Sequence, residues 1–263
     1  MSPPVVTVWH NEQDLAAGVA ARLVTRLVTT QADRAHACLV LTGGGLGIAT
    51  LAALGASASR DSVDWAAVDL WWGDERFVPA EDPDRNDVQA RRVLLDRLPV
   101  DPARVHPMPA LGSARAGPSG HDVHAAAASY ADELARHAAV ESHLPMPHID
   151  VLLLGVGSDG HVASLFPHSP ALYETRTVAG VDGSPKPPRQ RITLTLPALQ
   201  AADEVWLIAA GEAKAPAVRL ALGGAGPMAV PAAGVHGRLA TRWMLDRAAA
   251  AELPADLARP ASP

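Results

Sequence analysis

Short apolar runs alternate with longer amphipathic stretches along the whole chain. Val5–Trp9, Ala37–Leu41, Val68–Trp72, Ile149–Leu154 and Glu204–Ala210 are mostly apolar. Runs of this length with little polar alternation suit strands buried on both faces. Elsewhere the apolar period lengthens. Leu15, Val19, Leu23 and Leu27 recur at every fourth position, which predicts a helix over Asn11–Thr30 with Asn11 as its N-cap. Helices are also predicted over Ile48–Leu54, over Val88–Leu98 with Asn86 as cap and Pro99 as stop, and over the alanine-rich His121–Val140. Another helix starts within Gly211–Lys214. Val105–Met108 and Arg191–Leu196 read as strands, Arg191–Leu196 with alternating residues. A last strand near Leu239–Met244 precedes a short alanine-rich helix. Gly112–Gly120 and Gly180–Gln190 read as loops, and no internal repeat is evident. Alternation of this kind predicts an α/β fold, a mainly parallel sheet with helices on both faces.

Composition narrows the picture. The 263 residues include 21 glycines and 23 prolines, below the roughly 25–30% that marks low complexity. A single domain over residues 1–256 and a disordered tail over 257–263 are expected. The net charge of −6 is spread without a basic stripe, which argues against nucleic acid as a partner. Any anion site must then be built locally. Cys38 is the one cysteine, so an intrachain disulfide is excluded and a buried core role is expected. The opening residues MSPPVVTVWH lack the basic and apolar parts of a signal peptide, and Leu220–Val235 is broken by glycine and proline. No membrane contact and a cytoplasmic location are expected.

Chemistry gathers at the ends of predicted strands. Ile149–Leu154 runs into Gly155-Val156-Gly157-Ser158-Asp159-Gly160-His161. The glycines spell a dinucleotide fingerprint, yet three features oppose that reading. Pro167 stops any following helix early, no second strand ends in an acid at the required distance, and Asp159 would face the pyrophosphate. Ala37–Leu41 runs into Thr42-Gly43-Gly44-Gly45-Leu46-Gly47, a turn able to point backbone N–H groups at an anion. It lacks the Gly-Lys-Ser/Thr of a P-loop and suits a small phosphorylated substrate better. Val68–Trp72 ends in Gly73-Asp74-Glu75-Arg76, a charged turn by composition. Lys214, in the first turn of a helix, is unfavourable against the helix dipole unless it shares an anion with that N-terminus. In a parallel sheet these strand ends lie along one edge and can meet in one pocket. The histidines at 121, 124, 137, 143, 148 and 168 lack partners at metal-binding spacing, and no metal site follows from them.

Taken in order, Leu41–Gly47, Gly73–Pro79 with Asn86, Gly155–Pro167, Pro185–Pro188 leading to Arg191–Thr195, and Gly211–Lys214 resemble the 6-phosphogluconolactonases. That family shares its fold with the glucosamine-6-phosphate deaminases. The resemblance implies a Rossmann-like three-layer sandwich and hydrolysis of 6-phospho-D-glucono-1,5-lactone, with no cofactor and no required metal. Where the family usually has a Ser-Thr-Pro-like run, this chain has Gly45-Leu46-Gly47, so Thr42 and extra backbone N–H groups are expected to replace hydroxyl donors. The deaminases place a glutamate five residues after the histidine of Asp-Gly-His. Here that position is Phe166, which cannot accept a proton and argues for the lactonase.

The expected general base is His161, since an imidazole with a pKa near 6.5 works at neutral pH. Either Asp159 or Asp74 orients it or holds the water and the sugar hydroxyls. Arg76 holds phosphate or stabilises the oxyanion. Arg191, Lys214 and the N–H groups of Gly43, Gly44 and Gly45 are the expected phosphate clamp, with Asn86 also on substrate. The alternatives are an amino-sugar-phosphate deaminase/isomerase and a non-catalytic sugar-phosphate sensor. The expected partner is a small phosphosugar lactone. A monomer is expected, a weak dimer being the alternative.

Overall fold

The apolar runs assemble into one parallel sheet, and the amphipathic stretches cover it. The computed structural model describes residues 3–140, 143–254, 257 and 259–261. The chain order is β1 (Val5–Trp9), α1 (Glu12–Asp33), β2 (Ala37–Leu41), α2 (Gly44–Ala56), β3 (Val68–Trp72), β4 (Asp74–Arg76), α3 (Asn86–Val93), α4 (Val123–Arg136), β5 (Val151–Gly155), β6 (Val178–Val181), β7 (Arg191–Leu194), α5 (Leu196–Leu199), β8 (Glu204–Ala209), α6 (Ala215–Leu222), β9 (Ala240–Asp246) and β10 (Arg259–Pro260). Seven strands pair in the order β10-β1-β9-β8-β5-β2-β3, each pair parallel.

Successive residues of a buried strand serve opposite cores. Val151 and Leu153 pack with Leu15, Leu23, Leu51 and Trp72 on the side covered by α1 and α2. Leu152 and Leu154 pack with Trp71, Tyr130, Ile192 and Trp243 on the other. On that second side a three-stranded antiparallel sheet, β4-β7-β6, lies with α4 against it. Val178, Val181, Ile192 and Leu194 of this sheet belong to the same core cluster, so both sheets share one interior. Cys38 is buried there, and burial raises its thiol pKa, in keeping with a core residue.

Several boundaries differ from the sequence reading. The helix after the glycine turn starts at Gly44 rather than Ile48, so the glycines form its first turn. α3 starts at Asn86 itself, and its cap is tertiary: the Glu75 carboxylate accepts the backbone N–H groups of Asn86 at 2.7 Å and Asp87 at 3.0 Å. Asp74–Arg76 is a strand rather than a turn, and Val178–Val181 is a strand that runs into the expected loop. Arg191–Leu194 is buried at every position because β4 and β6 flank it. Val105 makes only an isolated bridge to Leu70. The expected helix after β9 is a series of turns. Within the expected tail, Arg259–Pro260 pairs with Thr7 and Val8 of β1.

From β2 the chain moves outward to β3, whereas β5 lies on the other side of β2 and leads on to β8 and β9. The order reverses between β2 and β5. In open α/β sheets a crevice forms at the carboxyl ends of strands at such a switch point.

Candidate active site

The carboxyl ends of β2 and β5 open into a cleft of about 330 Å³. Gly43, Gly44, Gly45, Asp74, Arg76, Asn86, His161, Arg191 and Lys214 all line it. Of the residues expected to act on the substrate, only Asp159 is not on its wall. It lies directly behind the wall, against His161.

β2 delivers the glycine turn. No side chain caps the start of α2, and apart from the adjoining residues and the helix's own backbone no atom lies within 4 Å of where a Cβ would sit at Gly44 or Gly45. The first N–H groups of this helix therefore face open space, the arrangement that favours an anion. Gly43 answers a different need: a Cβ there would stand 1.8 Å from Asn86 Oδ1. Thr42 Oγ1 accepts the Gly155 N–H at 3.3 Å and so ties β2 to β5 beneath the cleft.

β3 delivers β4 and the adjoining wall. Buried Asp74 accepts Ser164 Oγ at 2.7 Å and Asn86 Nδ2 at 3.4 Å, and Asn86 Nδ2 also donates to the Asp74 carbonyl at 2.8 Å. Ala163, in left-handed backbone with φ of 49°, turns Ser164 inward toward Asp74. Glu75 points the opposite way. Fully buried, it accepts the N–H of Arg76 at 2.8 Å as well as those of Asn86 and Asp87. Burial pushes its pKa up to about 7, although Arg85 and the backbone donors oppose the shift. One carboxylate thus fixes the backbone of both Arg76 and Asn86.

β5 delivers the histidine. Gly157 N–H donates to the His161 carbonyl at 2.8 Å and Gly160 N–H to the Gly157 carbonyl at 2.9 Å, closing a tight hairpin. Gly157 is required by contact, since a Cβ would fall 1.9 Å from His161 Nδ1. No helix follows the turn: Val162 bridges back to Val156 and Leu165. The sequence reading allowed a short helix before Pro167, and the hairpin bridging replaces it. His161 Nδ1 lies 2.5 Å from Asp159 Oδ1. Asp159, and not Asp74, therefore contacts the imidazole. Burial works against the Asp159 charge, but the His161 hydrogen bond and the nearby charges of His161 and Lys186 outweigh it, holding the carboxyl well below the usual range. The Phe166 ring lies against the imidazole at 4.6 Å.

Arg191 and Lys214 complete the wall. Arg191 is buried, and its Nε and Nη2 donate to the carbonyls of Pro188, Lys186 and Pro187 at 2.9–3.2 Å. Its side chain braces the proline-rich loop and also reaches the cleft. Burial lowers its pKa, and Arg76 adds to that effect against Asp74 and Glu75. Lys214 stands where a 3₁₀ turn, Glu212–Lys214, leads into α6. Burial and then Lys186 lower its pKa, opposed by Asp159. Among the described residues no carboxylate pairs with Lys214, so its charge faces the cleft.

The matching family is described as glucosamine-6-phosphate isomerases/6-phosphogluconolactonase, and the match covers residues 10–243. The chain belongs to this glucosamine-6-phosphate isomerase/6-phosphogluconolactonase family. It is 56% identical over 260 residues to a 6-phosphogluconolactonase of Streptomyces coelicolor, covering 98% of each chain. It is 50% identical over 250 residues to a 6-phosphogluconolactonase of Mycobacterium tuberculosis, covering 95% of this chain and 98% of the relative. The structure of 6-phosphogluconolactonase from Trypanosoma brucei matches with a TM-score of 0.83 at 28% identity, over 97% of this chain and 100% of that one.

Within this family member, sequence reasoning missed Lys186, Ser164 and Glu75. Lys186 stands in the quoted Pro-Lys-Pro-Pro block, but only the folded loop brings its Nζ to 3.3 Å from His161 Nδ1. Ser164 and Glu75 adjoin named residues, and no spacing signals that one turns inward to Asp74 and the other caps α3. His148 is not isolated either. It meets Asp203 at 2.9 Å and Asp150 at 3.9 Å, near the amino ends of β5 and β8. Arg34, Arg238 and the Cys38 N–H also engage these carboxylates, forming an ion-pair cluster remote from the cleft.

Proposed function

We propose that this chain hydrolyses 6-phospho-D-glucono-1,5-lactone to 6-phospho-D-gluconate, the second step of the oxidative pentose phosphate pathway. One observation carries the reading: the Asp159–His161 pair, with the Phe166 ring packed against the imidazole where the deaminases place a glutamate, opens on the cleft that holds Lys214, Arg191 and the start of α2. Family membership and the two bacterial relatives named above support it.

The substrate phosphate lies at the N-terminus of α2, with Lys214 and Arg191 supplying charge. Charge-assisted bonds of this kind contribute roughly 1.5–3 kcal/mol each. Asp74, held by Ser164 and Asn86, accepts a sugar hydroxyl. Asp159 engages Nδ1 of His161 and leaves Nε2 as the base. Nε2 takes a proton from water as the water oxygen attacks C1. The carbonyl oxygen becomes an oxyanion, while Arg76 stays with Arg191 on the phosphate. As the C–O double bond re-forms, the bond from C1 to the ring oxygen breaks, and the ring oxygen receives the proton from His161. The product acid then ionises. These steps use no metal and no cofactor.

We read the chain as a cytoplasmic monomer that meets neither nucleic acid nor membrane. The dispersed negative charge supports the former exclusion. Among the described residues no helix is long and apolar enough to cross a membrane. The test of the activity is acid release from freshly made lactone in a pH-stat, read against spontaneous hydrolysis. A rate no higher than background, or ammonia released from glucosamine 6-phosphate, would replace this reading.

A further inference from the structure

Three atoms form a close triangle behind the cleft. His161 Nδ1 and Asp159 Oδ1 are 2.5 Å apart, and Lys186 Nζ is 3.3 Å from the first and 3.4 Å from the second. An ionised Asp159 makes Nδ1 the donor of their bond, so Nδ1 has no lone pair left for the ammonium. The contact between Lys186 and the ring is then electrostatic. A positive charge at that distance disfavours the imidazolium, and a carboxylate favours it.

The lysine is mounted rather than loose. Ser184 Oγ donates to the Lys186 carbonyl at 2.7 Å and accepts the Lys186 N–H at 3.2 Å. Buried Arg191 holds the carbonyls of Lys186, Pro187 and Pro188. The other groups around the imidazole do not replace it. Phe166 covers the ring without charge, and the Arg191 guanidinium lies over the Phe166 ring at 5.9 Å. Lys214 feels the charges of Lys186 and Asp159 from the start of α6 without contacting either, and Asp74 and Arg76 belong to the cleft wall.

We propose that Lys186 is a further positioning residue of the lactonase reaction. Its ammonium holds Asp159 and offsets that carboxylate's pull on the imidazole, so that Nε2 can take a proton from water. This rests on the reading of His161 as the base.

The test is the pH dependence of kcat/KM for the lactone in the wild type, Lys186→Met, Lys186→Arg and His161→Gln. In Lys186→Met the acid limb moves upward by about half to one pH unit, and Lys186→Arg returns it toward the wild-type position. A ¹⁵N-imidazole NMR titration of the folded Lys186→Met protein reads the same displacement without turnover. Loss of activity in His161→Gln with an unmoved limb in Lys186→Met overturns the role of Lys186 alone. Activity near wild type in His161→Gln overturns the base reading and this proposal together.

Discussion

Arg76 and Arg191 stand directly opposite each other across the antiparallel β4–β7 ladder. Like charges in that register destabilise a sheet, commonly by a few tenths to about 1 kcal/mol. Both side chains line the cleft, and a bound phosphate relieves the repulsion. Arg76→Met should therefore raise KM about 10–100-fold, the equivalent of one charge-assisted bond. The ligand-free protein should keep or gain thermal stability, and the stabilisation conferred by 6-phosphogluconate should shrink. Thermal unfolding with and without product separates the two effects. A lower ligand-free Tm with unchanged KM would return Arg76 to a structural role through its bond to the Asp84 carbonyl.

His161→Gln removes the proposed base and should lower kcat about 10²–10⁴-fold with little change in KM. Asp159→Asn keeps an acceptor for Nδ1 but loses its charge. The difference between a charge-assisted and a neutral hydrogen bond is about 1 kcal/mol, so roughly a fivefold loss of kcat is expected there. Steady-state kinetics on fresh lactone ranks the two. Equal losses would mean that Asp159 does more than orient the ring.

The sequence was most legible where burial and period agree. β1, β2 and β3 fall where their apolar runs lie, because layers packed on both faces of the sheet bury successive residues of each run. Legibility fails where tertiary contacts replace local signals. Glycine has a low helix propensity, which hid the first turn of α2. Its absent side chains are what the cleft uses there. β6 reads as Val-Ala-Gly-Val beside a turn-rich loop, and only β7 and α4 make a strand of it. The capping of α3 by Glu75 spans 11 residues and crosses from one element to another. In the same way, strand ends and the family resemblance pointed to nine residues that line the cleft, while the choice between Asp159 and Asp74 as the partner of His161 needed coordinates.

Two glycines in the site should respond to alanine in opposite ways. In Gly157→Ala the new methyl overlaps His161 Nδ1 and Asp159 Oδ1, at 1.9 and 2.4 Å. The pair must separate, so kcat should fall at least tenfold even though the global fold survives. Such a loss is about 1.4 kcal/mol of transition-state stabilisation. In Gly45→Ala the methyl meets no atom within 4 Å apart from the adjoining residues and the helix's own backbone, and it lies in the first turn of α2. It should raise stability by up to about 1 kcal/mol through helix propensity and raise KM by intruding where the phosphate lies. Circular dichroism melts beside kinetics distinguish the pair. A Gly157→Ala enzyme with wild-type kcat would show that the hairpin can yield without moving the base.

Glu75 gives stability a pH dependence whose sign is opposite to that of an ordinary paired carboxylate. Its folded pKa of about 7 exceeds the usual 4.5, with burial as the main cause. Between those values the folded state keeps a proton that the unfolded chain releases, so this group's contribution falls as pH rises. The slope is at most about 1.4 kcal/mol per pH unit and levels off above about pH 7. Asp159 behaves in the reverse sense: its lowered pKa gives stability above the ordinary carboxylate range that is lost only in strong acid. The two windows do not overlap. Glu75→Gln cannot ionise and keeps one acceptor oxygen for the N–H groups at the start of α3. Urea unfolding at pH 5, 6 and 7 should therefore show the wild type losing stability relative to Glu75→Gln as pH rises, whatever the offset between them. A pH-independent difference would mean that Glu75 is already ionised at pH 5, held there by Arg85 and its three backbone donors.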